Sequence, residues 1–273
     1  MVQTQDQTQD QKIHRKHYDG KFFTLVGETA ARSAETMVPL VMELVNPKRV
    51  VDVGCGPGAW MRAFKQRGCT VRGYDGDYVD VSSMVVDPSE FHVADLRQPL
   101  TDSEGPYDLA VSLEVGEHLP QECAAMLVKS LVGLAPVVLF SAAIPGQGGT
   151  LHINEQWQSY WAELFQAEDY VAIDCIRPQL WRSEAISFFY VQNALLYCRA
   201  DQLQRFPALS SIEARPLGSL DIVHPVLFHT FKQLLDNPDP TKVPIVAACW
   251  NFVVSPWRFV QAFMGFCGRR LGR

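Results

Sequence analysis

The feature that most constrains this chain is a short, mostly apolar run that passes directly into a glycine-rich turn, VVDVGCGPG, from Val50 to Gly58. Glycine adopts backbone conformations that other residues avoid and lets the backbone approach a ligand closely. A helical pattern over residues 59–67 follows at once, so the turn would present amide N–H groups at a helix N-terminus. The segment therefore predicts a strand, turn and helix that bind a ligand at the turn.

Strand-like and helical patterns alternate along the rest of the chain. Apolar strand-like runs cover 50–53, 70–74, 109–113 and 137–140, and helical patterns cover 19–45, 59–67, 121–134 and 154–167, the last with Asn154 as its N-cap. This alternation predicts an α/β fold with a Rossmann-like, mostly parallel sheet and helices on both faces. Two later runs, 170–176 and 186–198, have no helical pattern between them and predict an antiparallel hairpin at one edge.

Length and composition divide the chain into three parts. With 273 residues and 47% apolar content, it can form one α/β domain and an appendage. Residues 1–12 repeat Gln, Thr and Asp and predict a disordered tail, and residues 13–200 would form the ligand-binding domain. Residues 201–273 are rich in proline and predict a C-terminal helical appendage.

Charge, cysteines and the apolar end of the chain restrict its surroundings and partners. A net charge of −6 disfavours a general nucleic-acid binder, and seven cysteines without a C-x-x-C pair favour the reducing cytoplasm. The aromatic stretch 243–267 is interrupted by Asn251, Pro256 and Arg258, which argues against a membrane-spanning helix. Packing against the domain, a homodimer contact and peripheral membrane association through this stretch and the basic ending GRRLGR all stay open.

The glycines alone leave the ligand undecided. Gly54, Gly56 and Ala59 fit the G-x-G-x-x-A pattern of nicotinamide-binding folds. An acid after the second strand would bind ribose hydroxyls of either kind of cofactor. Asp75 is favoured over Asp77 because it directly follows the strand-like run VRGY.

Asp52 extends the turn to D-x-G-x-G-x-G, which resembles motif one of the class I S-adenosylmethionine-dependent methyltransferases. FHVADL from Phe91 and YDLAVSLE from Tyr107 resemble later motifs of that family, and the resemblance covers residues 22–199. It implies S-adenosylmethionine as cofactor, with Asp95 reading the adenine amino group and Leu96 packing on the ring. The implied cofactor-binding residues are Asp52, Gly54, Cys55, Gly56, Gly58, Asp75, Asp95, Leu96 and Glu114.

A cluster of acids and histidine follows the strand-like run 109–113. Glu114, Glu117 and His118 are spaced so that one helical turn would bring them together. They resemble the E-x-x-E-H of ubiquinone-pathway O-methyltransferases and of small-RNA terminal-ribose methyltransferases. That resemblance implies a metal site made of Glu114, Glu117, His118 and, further along, His152, and such ligands suit Mg²⁺ or Mn²⁺. The alternative is an acidic helix start favoured by the helix dipole, with His118 or His152 as general base.

The sequence therefore predicts a methyltransferase that O-methylates a hydroxyl of a small molecule, a glycan or a lipid-linked acceptor, with Glu117, His118 and His152 as catalytic residues. The loop 145–150 would form a substrate rim, and an aromatic wall would come from Trp157, Trp161, Trp181 and Tyr190. The alternatives are methylation of a terminal RNA ribose, which the acidic balance disfavours, a nicotinamide-dependent oxidoreductase, and a binding module without catalysis.

Overall fold

A computed structural model describes residues 20–102, 104–213 and 215–236 of the chain. The strands are β1 (Arg49–Val53), β2 (Thr70–Asp75), β3 (Phe91–Val93), β4 (Leu109–Leu113), β5 (Val137–Ser141), β6 (Tyr170–Ile173) and β7 (Leu195–Arg199). The α-helices are α1 (Gly20–Val45), α2 (Ala59–Lys65), α3 (Ala124–Leu134), α4 (Gln158–Ala167), α5 (Arg177–Leu180), α6 (Phe188–Asn193), α7 (Pro207–Ser210) and α8 (Pro225–Asp236).

The seven strands form one sheet in the order β3-β2-β1-β4-β5-β7-β6. Pairs from β3 to β5 are parallel, whereas β7 runs antiparallel to both β5 and β6. The predicted Rossmann-like sheet with an antiparallel edge pair is therefore confirmed. The chain direction places the carboxyl ends of β1, β2, β4 and β5 along one edge, which is where ligands bind in such sheets.

Two apolar cores cover the two faces of the sheet. Alternate residues of β4 enter different cores, with Leu109 and Val111 in one and Ala110 in the other. The first core includes Met37 of α1 and Phe64 of α2. The second core is covered by α3 and α4, whose buried residues include Leu127, Leu131, Trp161 and Phe165. Burial on both faces explains why these strands read as continuous apolar runs.

The start of α4 differs from the prediction. The helix begins at Gln158, and Asn154 lies in the preceding loop rather than at the N-cap. The first turn is capped from a distant part of the chain, because Ser159 N and Oγ each donate to the Asp221 carboxylate at 2.8 Å. A capping side chain 62 positions away cannot be recognised from the local pattern that identified Asn154.

The predicted hairpin is correct in its pairing and wrong in its connection. Tyr170 pairs with Arg199, as expected of antiparallel edge strands, but both strands are shorter than the apolar runs. α5 and α6 lie between them, so part of the run 186–198 is helical. A short apolar and aromatic run is compatible with a buried helix as well as with a strand, and the first part of this run packs as the helix α6.

The segment after β7 stays with the sheet. Leu209 of α7 belongs to the first core and Leu220 to the second. The fully buried Arg177 binds the Asp174 carboxylate at 2.8 Å and donates to Leu220 O at 2.7 Å. The chain divides into two compact units between Ile222 and Val223, whereas the sequence placed a boundary after residue 200.

The second unit is described only as far as α8. The predicted tail 1–12 and the aromatic stretch 243–267 lie outside the described residues. No helix within the described ranges combines the length and the apolar character that a membrane span needs.

Candidate active site

The glycine-rich turn follows β1 and has the backbone that its glycines require. Gly54, Gly56 and Gly58 have φ angles of 84°, 50° and 91°, in the left-handed region. Gly54 is also needed for space, because a Cβ there would lie 2.3 Å from Cγ2 of Val115. The turn at the end of β1 therefore packs directly against the residues that follow β4.

Asp52 is a buried acid without a hydrogen-bonding partner for Oδ2 among the described residues. Burial, and next the charge of Asp75, raise the pKa of Asp52 to about 8. An unpaired buried carboxyl is unfavourable unless a cation or donor reaches it. A cationic group held at the turn would favour the ionised form of Asp52.

Asp75 ends β2 and holds the turn in place. Its Oδ2 accepts from Gly56 N at 2.7 Å, and its Oδ1 accepts from Gly76 N at 2.7 Å and Tyr78 Oη at 2.5 Å. Burial raises the pKa of Asp75 even though these hydrogen bonds oppose the rise. The predicted contact with ribose hydroxyls stays a prediction, and the structure adds a second role in shaping the glycine turn.

Asp95 and Leu96 follow β3 at the same edge of the sheet. Ala94 N donates to Asp75 O at 2.8 Å, which joins the two strand ends. Leu96 is buried, whereas Asp95 is half exposed and its Oδ1 accepts from Arg97 Nε at 2.9 Å. Partial burial by itself would raise the pKa of Asp95. The hydrogen bonds from Arg97 outweigh that effect, so the pKa of Asp95 is lowered. An adenine amino group would find an ionised acceptor here.

Glu114 sits at the end of β4 in a left-handed conformation with φ 56°, which is uncommon for a residue other than glycine. Its carboxylate accepts from Gln147 Nε2 at 2.9 Å and from Asn193 Nδ2 at 3.1 Å. Burial raises its pKa, and the Asn193 hydrogen bond is the largest opposing influence. Strained backbone of this kind is typical of functional sites, where the surroundings hold it in place.

Glu117, His118 and His152 lie close together, and their role as metal ligands stays a prediction. Their ligand atoms lie within 4.8 Å of one another, and the two imidazole rings are 4.9 Å apart. Glu117 is fully buried, and neither of its carboxylate oxygens has a partner with full hydrogen-bond geometry among the described residues, although the Glu114 carboxyl and the Ala143 backbone lie close to it. Burial and the charge of Glu114 raise the pKa of Glu117 well above its usual range. Glu114 itself lies outside this three-residue group.

The loop between β5 and α4 carries His152. The sequence did not predict the contacts that this loop makes. Ile153 N and Asn154 N donate to Glu117 O at 2.9 and 3.0 Å, and Asn154 Nδ2 donates to Gly116 O. Glu155 lies 3.0 Å from His152 Nδ1. The sequence HINEQW contains the loop residues of these contacts, but an acid three positions after a histidine does not by itself indicate that the two side chains meet.

The expected aromatic wall is only partly present. Trp161 belongs to the core, where its ring lies 4.9 Å from Phe140 and against Gly116. Tyr190 is buried against Trp60 at 5.1 Å, and Trp181 packs partly buried on the first core. Trp157, by contrast, is exposed, as is Ile153. Burial shows which of these aromatic residues belong to the core and which face solvent, and the residue types alone do not.

The sheet order, the glycine turn after β1 and the acids at the ends of β2 and β4 together define a class I S-adenosylmethionine-dependent methyltransferase. A family model described as "Methyltransferase domain" matches residues 28–187, and the chain belongs to that family. The matched region contains the whole glycine turn, the acids after β2 and β4, and the Glu117, His118 and His152 cluster.

One curated relative is the chloroplastic tocopherol O-methyltransferase of Arabidopsis thaliana, which is 37% identical over 98 residues. The match covers 32% of this chain and 27% of that protein. The chain therefore matches only about a quarter of the relative's length.

Several solved methyltransferases have a similar fold. Human N-acetylserotonin methyltransferase in complex with S-adenosylmethionine is 15% identical, with a TM-score of 0.45 over 65% of this chain and 55% of that one. The magnesium protoporphyrin IX methyltransferase of Synechocystis PCC 6803 with bound S-adenosylhomocysteine is 21% identical, with a TM-score of 0.45 over 69% and 93%. The methyltransferase domain of a bacterial Hen1 is 18% identical, with a TM-score of 0.43 over 61% and 96%.

Proposed function

We propose that this methyltransferase acts on a hydroxyl group and uses a divalent metal ion held by Glu117, His118 and His152. The observation that carries the proposal is Glu117, a fully buried carboxyl whose two oxygens lack partners with full hydrogen-bond geometry among the described residues and which lies within 4.8 Å of two imidazole nitrogens. The acceptor class we propose is a small molecule, a glycan or a lipid-linked hydroxyl.

The donor set fits a metal ion. A carboxyl buried without a partner is costly, and a cation would remove that cost by satisfying its oxygens. One carboxylate and two imidazoles suit Mn²⁺ and are acceptable to Mg²⁺, and other first-row ions can compete for such ligands. Glu114 would contribute through its charge, since its carboxylate is already engaged by Gln147 and Asn193.

A divalent cation bound to an acceptor hydroxyl lowers its pKa and fixes the position of its oxygen. The chain's own residues supply the alignment, which methyl transfer requires because the oxygen must approach in line with the S–CH₃ bond. The glycine turn would hold the cofactor beside β1, and Val115 joins that turn to the residues of the metal cluster. His118 or His152 would be the proton acceptor if no metal takes part.

The surface beside His152 supports an acceptor with an apolar face. Ile153 and Trp157 flank the loop with 63% and 39% of their surfaces exposed. Aromatic and aliphatic groups of this kind pack against sugar rings, aromatic rings and lipid chains. The net charge of −6 argues against the terminal ribose of RNA, which stays the alternative acceptor.

The test begins with the metal itself. We expect the full chain to bind about one Mn²⁺ in elemental analysis and Mn²⁺ titration, and Glu117→Gln to lose that binding because it removes the buried charge while keeping the shape. Glu122→Gln, which changes an exposed acid four positions after His118, is the matched control and should bind like the unmodified chain.

Turnover is then followed as release of S-adenosylhomocysteine with a panel of phenols, sugars, lipid-linked hydroxyls and short RNA. We expect chelation with EDTA to abolish release and Mn²⁺ or Mg²⁺ to restore it, with S-adenosylmethionine affinity nearly unchanged. Full turnover after exhaustive chelation, with no ion bound, would rule out the metal and leave a histidine as the base.

A further inference from the structure

We propose that Glu155 is a positioning residue that fixes which nitrogen of His152 carries the proton and holds the loop that delivers His152 to the site. The inference rests on the proposed metal site and adds a residue that has no direct part in it. Three contacts converge on the Glu155 carboxylate. Its Oε2 accepts from Gly146 N at 2.7 Å, and its Oε1 accepts from Gly148 N at 2.7 Å and lies 3.0 Å from His152 Nδ1.

The hydrogen bonds to glycine determine the direction of the contact with His152. A backbone N–H can only donate, so each Glu155 oxygen acts as an acceptor toward Gly146 or Gly148. The remaining contact is therefore Nδ1–H donating to Oε1, because an unprotonated Nδ1 would place a lone pair against an accepting oxygen. His152 is held with its proton on Nδ1, which leaves the Nε2 lone pair as the atom available to a cation.

The same carboxylate shapes the loop. Gly146 and Gly148 have φ angles of 83° and 70°, so the loop turns sharply around the Glu155 oxygens. Oε1 serves both Gly148 and His152, which couples the path of the loop to the orientation of the ring. On its other side the loop is fastened by Gln147, whose Nε2 donates to Glu114 and whose Oε1 accepts from Asn193 Nδ2 at 2.9 Å.

Among the described residues, Glu155 supplies the side-chain contact to His152 Nδ1. His118 Nδ1 lies 3.4 Å from Leu151 O, and its ring packs edge-on against His152 at 4.9 Å, so a change at His152 is expected to reach His118 as well. His92 of β3, whose ring packs against Tyr74, provides the internal control.

The first measurement uses metal-free full-length protein labelled with ¹⁵N-histidine, because nitrogen chemical shifts distinguish the two neutral forms of the ring. We expect His152 to carry its proton on Nδ1 in the unmodified chain and to shift toward the Nε2–H form in Glu155→Ala. The His92 signals should stay the same in both, and His152→Gln assigns the His152 signals.

Glu155→Gln tests separately the two roles of Glu155, which are orienting His152 and holding the loop. The amide orientation that satisfies more donors has its carbonyl accepting from Gly148 and His152, and its NH2 group then meets the Gly146 N–H with another donor. We therefore expect the His152 proton to stay on Nδ1 while the loop loses its Gly146 anchor. Mn²⁺ affinity should fall about 10- to 100-fold in Glu155→Ala, the range typical of residues that orient a metal-binding histidine, and less in Glu155→Gln.

The outcomes separate this inference from the proposed function. If folded Glu155→Ala keeps the His152 proton on Nδ1, with folding verified by S-adenosylmethionine-dependent thermal stabilisation, the inference is overturned. If Glu155→Ala does not fold, a shift of the proton to Nε2 in Glu155→Gln overturns it. Absence of Mn²⁺ binding by the unmodified chain would contradict the proposed function, and the spectra of the metal-free protein would still decide the role of Glu155.

Discussion

Three buried acids lie in or just after strands β1, β2 and β4. Asp52, Asp75 and Glu117 are all buried, but only Asp75 has each oxygen satisfied by hydrogen bonds. Burial favours the protonated forms of Asp52 and Glu117. A cation bound beside either carboxyl would favour its ionised form instead.

Asp52→Asn should alter how stability depends on pH. The folded chain keeps the Asp52 proton up to a pKa of about 8, whereas the unfolded chain releases it near the ordinary value of 3.8. Between these values the folded state binds more protons, so the free energy of unfolding contributed by this group falls as pH rises. Chemical unfolding of the cofactor-free chain from pH 4 to 8.5 should show a flatter decline in the variant. Parallel curves for both proteins would contradict the assignment.

Asp75→Asn should weaken S-adenosylmethionine binding at least tenfold. Each charge-assisted hydrogen bond to a ribose hydroxyl contributes roughly 1.5–3 kcal/mol, and about 1.4 kcal/mol corresponds to a tenfold change. Asp77→Asn is the matched control, since it changes an exposed acid two positions away. Calorimetry should show a loss only for Asp75→Asn, and equal affinity of the two variants would remove Asp75 from the ribose site.

At the scale of elements, the loop between β5 and α4 connects the site to the rest of the fold. It contacts the turn after β4 through Glu117 O, and it approaches its own histidine closely at Gly149. A Cβ at Gly149 would lie 2.1 Å from His152 Nε2, so only glycine leaves room for the ring in this position.

Gly149→Ala should therefore displace His152 without unfolding the chain, because the clash is with the end of a side chain that can move. We expect the thermal midpoint to change little and Mn²⁺ affinity to fall. Gly133→Ala is the control, since a Cβ there meets nothing within 4 Å on α3 and should stabilise the helix by roughly 0.5–1 kcal/mol. Unchanged Mn²⁺ binding in Gly149→Ala would indicate that His152 is not a ligand.

Sequence patterns predicted those elements whose signals are local. The glycine turn, the parallel strands and the meeting of Glu117 with His118 follow from spacing over a few residues. The start of α4 and the helices between β6 and β7 were mispredicted because their determinants are distant, such as Asp221 at the α4 terminus. Glu155 was overlooked because an acid in a loop carries no signal until its backbone donors are known.

At the scale of the whole molecule, the role of the aromatic and basic end of the chain is still a prediction. An interfacial anchor would make the full chain float with anionic liposomes and would make binding weaken as salt rises. Replacing Trp250 and Trp257 by Ser should then abolish flotation while leaving S-adenosylmethionine affinity intact. Equal flotation of both proteins would leave packing or a homodimer, which sedimentation would distinguish.

The buried pair of Asp174 and Arg177 has a consequence for where this catalytic fold can be cut. Arg177 donates to Leu220 O, and the neighbouring Asp221 caps α4. Residues 220 and 221 therefore connect α5, which follows β6, with the start of α4. Ending an expression fragment at residue 200 would leave a buried guanidinium short of an acceptor and a helix without its cap, whereas a fragment ending at Ile222 would retain both. The smallest unit suited to crystallisation or to fusion with another protein is therefore longer than its sheet.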